Sequence, residues 1–133
     1  KMVVKMEMEK KLTESIEDYI ETIYLDFSQD NRGVRITDLA QAMGVSKASA
    51  NDAVKKLKSL GYVEHERYGQ IYLTDSGEAM GIKIYEKHCI ITKFLNQVLD
   101  VSPKVAENDA CCIEHIISDE TFEKMKAYLK DNE

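Results

Sequence analysis

The 133-residue sequence has one proline, and no apolar run in it approaches the ~18 residues a membrane helix needs. Lys1 to Lys11 alternate charge with Val and Met and lack the apolar stretch of a secretory signal. The three cysteines, Cys89, Cys111 and Cys112, are odd in number and two are adjacent, which suits no simple disulfide framework. There is no internal repeat and no low-complexity segment. Paired CxxC spacing of a structural zinc site is absent, as are a nucleophile motif and a phosphate-cradling glycine loop. These absences argue against a secreted disulfide scaffold, a membrane protein, a disordered tail and an enzyme. A reducing cytoplasm is the expected location.

What is present suits a globular chain: 44% of residues are apolar and 32% charged. The length fits one domain, or two small ones sharing a core. Eighteen basic and 24 acidic residues give a net charge of -6, unevenly spread. Residues 31–72 carry seven basic and four acidic groups, a net +3, and both flanks are acidic. A basic middle between acidic flanks points to one segment that meets a polyanion. The competing reading is chance scatter of solvated charge.

Helical spacing joins Ile16, Tyr19, Ile20, Ile23, Tyr24 and Phe27, with Thr13 as the N-cap. Asn31-Arg32-Gly33 breaks the chain, and Val34 to Ile36 reads as an extended lead-in. Thr37 is expected to cap a second helix, with Leu39, Ala40 and Met43 inward. Gly44-Val45 turns, and Ser46 caps a third helix that buries Ala50, Val54, Leu57 and Leu60 and stops at Gly61. Residues 62–66 and 71–73 alternate like strands, joined by Arg67-Tyr68-Gly69-Gln70, in which glycine is expected to supply a positive φ. Thr74 caps a long helix from about Asp75 to Leu99. Ser102-Pro103 opens another, with Val105, Ala110, Ile113 and Ile117 inward. Ser118 opens the last, with Phe122, Met125 and Leu129 apolar. The fold expected is mainly α with a small β-hairpin wing.

Helix, helix, glycine turn, helix and hairpin make a winged helix-turn-helix, whose third helix enters the DNA major groove from its N-terminal end. Here that end is Ser46, Lys47, Ala48 and Ser49, followed by Asn51 and Asp52. Ser and Asn suit base edges. Lys47 and Lys55 suit phosphates, and Arg67 at the wing tip can reach an adjacent groove. Thr37, at the start of the second helix, joins the candidate DNA contacts. Asp52 is a cost, because a carboxylate near phosphate repels it. A helix pair packed for stability or dimerisation is the competing reading.

Cys111, Glu114 and His115 stand at i, i+3 and i+4, which places three metal-competent side chains on one helix face. Asp18 and Glu21 form an i, i+3 pair on the first helix, and His88 sits mid-way along the long helix. Thiolate, imidazole and carboxylate suit a first-row transition metal. Each also has a plainer reading: a hydrogen-bonded histidine at His88, a solvated helix face at Asp18 and Glu21. Cys89 and Cys112 read as small buried hydrophobes. Spacing alone does not join the trio to the first helix.

From about Thr13 onward the sequence resembles the diphtheria-toxin-repressor and manganese-transport-regulator family of metal-dependent transcription repressors. The resemblance is carried by Glu17-Asp18-Tyr19-Ile20-Glu21-Thr22-Ile23-Tyr24, Lys87-His88 and Cys111-Cys112-Ile113-Glu114-His115-Ile116-Ile117-Ser118-Asp119. It implies a winged helix-turn-helix DNA-binding domain over residues 1–74 and a helical metal-binding and dimerisation domain over 75–133. It implies that Asp18, Glu21, His88, Glu114 and His115 are metal ligands, as in the manganese branch. Cys111 matches a position that is Glu in that branch and Cys in the iron branch, so the chain is a hybrid. Thr92 and Glu107 stand where iron-type members have ligands, so their ancillary site is not expected, nor is the SH3-like third domain of that branch.

The thiolate makes Fe2+ as credible as Mn2+, with Zn2+ or Co2+ able to bind in vitro. The partners expected are a second copy of the chain and a palindromic double-stranded DNA operator, with no membrane. Metal is expected to relieve repulsion among the carboxylates and order the homodimer for operator binding. The alternative function is a winged-helix regulator that senses a small ligand or redox state through its cysteines. A metal-dependent hydrolase using Glu114 or Asp18 as base is weaker still, since it needs an open coordination position and a cleft.

Overall fold

The computed structural model describes residues 15–27, 33–66 and 69–133. It divides into two compact units, Lys1–Ile82 and Lys83–Glu133. In the first, helix α1 covers 15–27 and ends in a π-helical turn, Ile23–Phe27. It buries Tyr19, Ile20 and Ile23, and burial pushes the Tyr19 phenol above its ordinary pKa. Helix α2 spans Ile36–Met43 and α3 Lys47–Ser59. Between them Gly44 adopts φ 68°, and its N–H reaches back to the carbonyls of Ala40 and Gln41. That left-handed residue ends α2 at a conformation side chains avoid. Ser46 caps α3 by accepting from the Ser49 N–H at 3.0 Å, an interaction worth ~1 kcal/mol.

The wing pairs β1, Val63–His65, with β2, Ile71–Leu73, antiparallel; Val63 faces Leu73 and His65 faces Ile71. Val34 joins the sheet by a two-way bridge to Ile71, with N···O distances of 2.9 and 2.8 Å. The extended lead-in to α2 is thereby tied to the wing. Leu39 and Ala40 of α2, Ala50, Val54 and Leu57 of α3, and Val34, Val63 and Ile71 supply buried side chains of this unit. The i, i+4, i+7 spacing in α3 is one helical face.

Helix α4, Asp75–Gln97, contributes residues 75–82 to the first unit and the rest to the second. Thr74 starts it, accepting from the Gly77 N–H at 3.1 Å while donating to the Gly61 carbonyl at 2.6 Å. Helix α5, Pro103–Ile113, has proline at its first position, and α6, Asp119–Asp131, is capped by Ser118. The second core joins Ile91 and Leu95 of α4, Ala106 and Ala110 of α5 and Phe122 of α6. The two alanines let the α5 backbone approach closely. Ile113, Ile117 and Met125 pack around this cluster.

Several sequence expectations are corrected. Thr37 is not a cap: α2 starts at Ile36 and its N-cap is Arg35, without a side-chain cap bond. Gly69 does not supply a positive φ; Gly33, Gly44 and Gly61 are the left-handed glycines among the described residues. What Gly69 needs is space, since a Cβ there would lie 2.7 Å from Glu66 Cβ. Leu60 is exposed beyond the end of α3, and Val105 points outward while Ala106 takes the buried place. One residue is ~100° of helix rotation, enough to exchange core for solvent. Cys89 and Cys112 are exposed, not buried. The cap at Thr13 and the break at Asn31-Arg32 lie outside the described residues.

Candidate metal centre and nucleic-acid interface

The second unit gathers four of the residues singled out as metal ligands. α4 presents His88 and the last turn of α5 presents Cys111. Glu114 is the C-cap of α5, still right-handed at φ -57° and ψ -27°, so helical spacing persists one step past the helix and sets Glu114 over Cys111. His115 follows in the turn.

Glu114 is 1% exposed and is the buried charged side chain among the described residues. Its Oε2 lies 3.0 Å from His88 Nδ1. Its Oε1 lies 3.3 Å from His115 Nε2, a side chain only 4% exposed. Cys111 Sγ is 3.8 Å from His88 Nδ1. Donor atoms of His88, Cys111 and Glu114 all lie within 4.8 Å of one another. Ligands of one ion at ~2.0–2.3 Å from it stand ~3–4 Å apart, so small side-chain rotations suffice to converge them. A carboxylate taken out of water is costly unless paired, and this one is held between two imidazoles and a thiol. The donor set of N, S and O fits a first-row divalent ion.

Two neighbours flank His88 on α4: Tyr85, not singled out from sequence, and Thr92, noted there only as standing at an ancillary-ligand position. The Tyr85 ring stacks on His88 with centroids 6.5 Å apart and planes at 11°. Thr92 Oγ1 donates to the His88 carbonyl at 2.7 Å. They stand at i−3 and i+4 from His88, positions that helix geometry always places beside it. Thr92 and Glu107 also line an open pocket of about 420 Å3 with His88 and Cys89. Asp18 and Glu21 belong to α1, in the first unit. Asp18 is exposed. The Glu21 Oε2 is buried with no hydrogen-bond partner among the described residues, a state that costs ~1–3 kcal/mol, and more for a charged group.

The first unit presents the other candidate surface. Thr37, Ser46, Lys47, Ala48, Ser49 and Lys55 are exposed and Asn51 half-buried; Arg67 lies outside the described residues. The Ser46 hydroxyl is already engaged, accepting from the Ser49 N–H and donating to the Ser49 hydroxyl. Its first role is therefore to hold the start of α3. Lys47, Lys55, Lys56 and Lys58 form no ion pair among the described residues. In the second unit, by contrast, Lys87, Lys93 and Lys126 pair with Asp119, Glu133 and Glu86. The hydrogen bond and charge of Glu86 raise the Lys126 pKa. Unpaired lysines on α3 leave its positive charge available to a polyanion.

The chain matches two family models: "Iron dependent repressor, N-terminal DNA binding domain" over residues 11–71, and "Iron dependent repressor, metal binding and dimerisation domain" over 74–133. An uncharacterized HTH-type transcriptional regulator of Methanocaldococcus jannaschii is 39% identical over 119 residues, which cover 90% of this chain and 95% of that one. The transcriptional regulator MntR of Salmonella typhimurium is 34% identical over 119 residues, covering 90% and 74%. A solved structure of a manganese-dependent transcriptional repressor in complex with manganese superposes with a TM-score of 0.75 at 30% identity, covering 86% of this chain. The chain spans about half (52%) the length of that solved protein.

Proposed function

Because this chain belongs to the iron-dependent repressor family, matched along both parts of its length, we propose that it is a metal-responsive, DNA-binding transcriptional repressor controlling metal-ion homeostasis. Members of the family are transcriptional regulators, not enzymes. Residues 1–74 form the DNA-binding domain in this reading and 75–133 the metal-binding and dimerisation domain. The observation that most supports it is the buried Glu114 between His88, His115 and Cys111.

The proposed ligands are His88, Cys111, Glu114 and His115, with Asp18 and Glu21 completing the set on the strength of their sequence match. Mn2+ or Fe2+ is the signal in this reading, and Zn2+ or Co2+ binds in vitro. A bound divalent cation supplies positive charge that offsets the carboxylates and the thiolate. Without it, a like-charge pair at 4 Å repels by ~1 kcal/mol in water and ~4 at an effective dielectric of 20. The His88 imidazole is oriented by its stack with Tyr85 and by the 3.0 Å contact of its Nδ1 with Glu114 Oε2. Thr37, Ser46, Lys47, Ala48, Ser49, Asn51, Lys55 and Arg67 are the proposed DNA contacts.

The homodimer presents two recognition helices to a palindromic operator, their spacing near one DNA turn, about 34 Å, or a multiple. Exposed Leu99, Val105, Ile116 and Tyr128 on the second unit supply apolar surface for such a partner. None of the described helices is long and apolar enough to cross a membrane, and we place the protein in the cytoplasm. The alternative of a regulator sensing a small ligand or redox state is not favoured by the family match.

Anaerobic DNA binding with a panel of divalent ions tests the proposal. Affinity is expected to rise at least about tenfold with Mn2+ or Fe2+, the size of coupling usual for ligand-controlled regulators. An affinity that chelator leaves unchanged contradicts it.

A further inference from the structure

Tyr85 is 42% exposed on α4, so burial does not explain where its ring lies. Every Cα–Cβ bond of a helix tilts toward the N-terminus, which leans the His88 imidazole back over the turn that carries Tyr85. That spacing brings the two rings near each other, but it does not make them parallel. Here the planes are 11° apart with centroids at 6.5 Å, inside the range of about 4.5–7 Å at which aromatic pairs attract. The same imidazole faces the donor cluster: its Nδ1 lies 3.0 Å from Glu114 Oε2 and 3.8 Å from Cys111 Sγ. Tyr85 and these three residues all belong to the second unit.

We propose that Tyr85 is a positioning residue of the metal centre: its ring fixes the plane of the His88 imidazole and favours that imidazole in its metal-loaded form. The proposal rests on the metal-centre reading above and adds to it a residue that is not a ligand. Two effects act in the same direction. A ring held in one plane before the ion arrives loses less freedom on binding. An imidazole that coordinates a divalent cation gives up electron density to it, and the negative face of the tyrosine ring attracts the resulting partial positive charge. A leucine in place of Tyr85 fills part of the volume and supplies neither effect.

The test is an anaerobic Co2+ titration of the metal-free full chain, read by the charge-transfer absorption of the Cys111 thiolate. Tyr85→Phe keeps the ring and is expected to bind within about twofold of wild type. Tyr85→Leu is expected to bind about three- to tenfold more weakly, the size of one aromatic contact. Its metal-free melting temperature should match that of wild type, because the position is exposed and leucine is at least as good a helix former as tyrosine. Tyr85→Leu added to His88→Ala is expected to cost less than about twofold, since no imidazole is left to hold. Three results overturn the proposal: Tyr85→Leu that binds as tightly as wild type, Tyr85→Phe that loses as much as Tyr85→Leu, or an equal loss with and without His88. A wild-type chain that shows no thiolate band with Co2+ overturns the metal-centre reading itself, and this proposal with it.

Discussion

Glu114→Gln is expected to weaken Mn2+ or Fe2+ binding by at least about 100-fold and to abolish the metal response of DNA binding. Losing a group beyond the ligands of a metal site already costs 10–100-fold, and Glu114 is proposed as a ligand. The amide keeps the shape of the side chain but removes the charge held between His88 Nδ1 at 3.0 Å and His115 Nε2 at 3.3 Å. Wild-type protein should gain ~2.7 kcal/mol of unfolding free energy at a metal concentration 100 times Kd. The variant should gain almost none at that concentration. Metal-free, the variant should be somewhat less stable than wild type, because the amide offers one acceptor oxygen where the carboxylate met both imidazoles, and removing one partner of a buried pair is destabilising. Thermal unfolding with and without metal reads both effects. A variant whose melting temperature still climbs with metal as wild type's does removes Glu114 from the site.

Gly77→Ala should be the most damaging single-methyl change in the chain. In an exposed helix this substitution usually stabilises by ~1 kcal/mol. Here the sign reverses, because the added Cβ would overlap the Tyr62 carbonyl oxygen and press on Leu73. That carbonyl is backbone and already accepts from the Thr74 N–H at 3.0 Å, so it cannot give way cheaply. A loss of ~3 kcal/mol or more is expected, at the upper end for overpacking. Gly81→Ala meets the Tyr24 side chain, with Cγ 2.7 Å from the added carbon. Turning the ring moves neither Tyr24 Cγ nor its Cβ, 2.8 Å from the added carbon, so the packed elements must give, but the overlap is shallower than at Gly77 and the loss should be smaller. Urea unfolding of the two variants checks the order, and equal stability of Gly77→Ala and wild type contradicts the packing described.

The wing and helix order were legible because they are local. The apolar faces of α1 and α3 repeat at helical spacing, and Gly44, Ser46 and Thr74 act within a few residues of themselves. Val105 and Leu60 were misplaced for a different reason. Whether an apolar residue at the edge of a helical face is covered depends on which neighbour approaches, and Ala106 rather than Val105 meets the core formed with Ile91 and Phe122. The cysteines show the same limit: residue type suggested burial for Cys89 and Cys112, and tertiary packing leaves both exposed.

The candidate site was legible in part. Cys111, Glu114 and His115 lie close in sequence, so spacing alone grouped them. His88 joins them across 26 residues, a distance that only the family resemblance bridged.

X-ray absorption at the metal edge of Fe2+-loaded protein, kept anaerobic, tests the central claim most directly. The account predicts one sulfur scatterer at ~2.3 Å, from Cys111, with nitrogen and oxygen scatterers at ~2.0–2.2 Å. The sulfur contribution should vanish in Cys111→Ser. A spectrum with oxygen neighbours alone, unchanged by that substitution, contradicts the assignment of the ion to Cys111, His88 and Glu114.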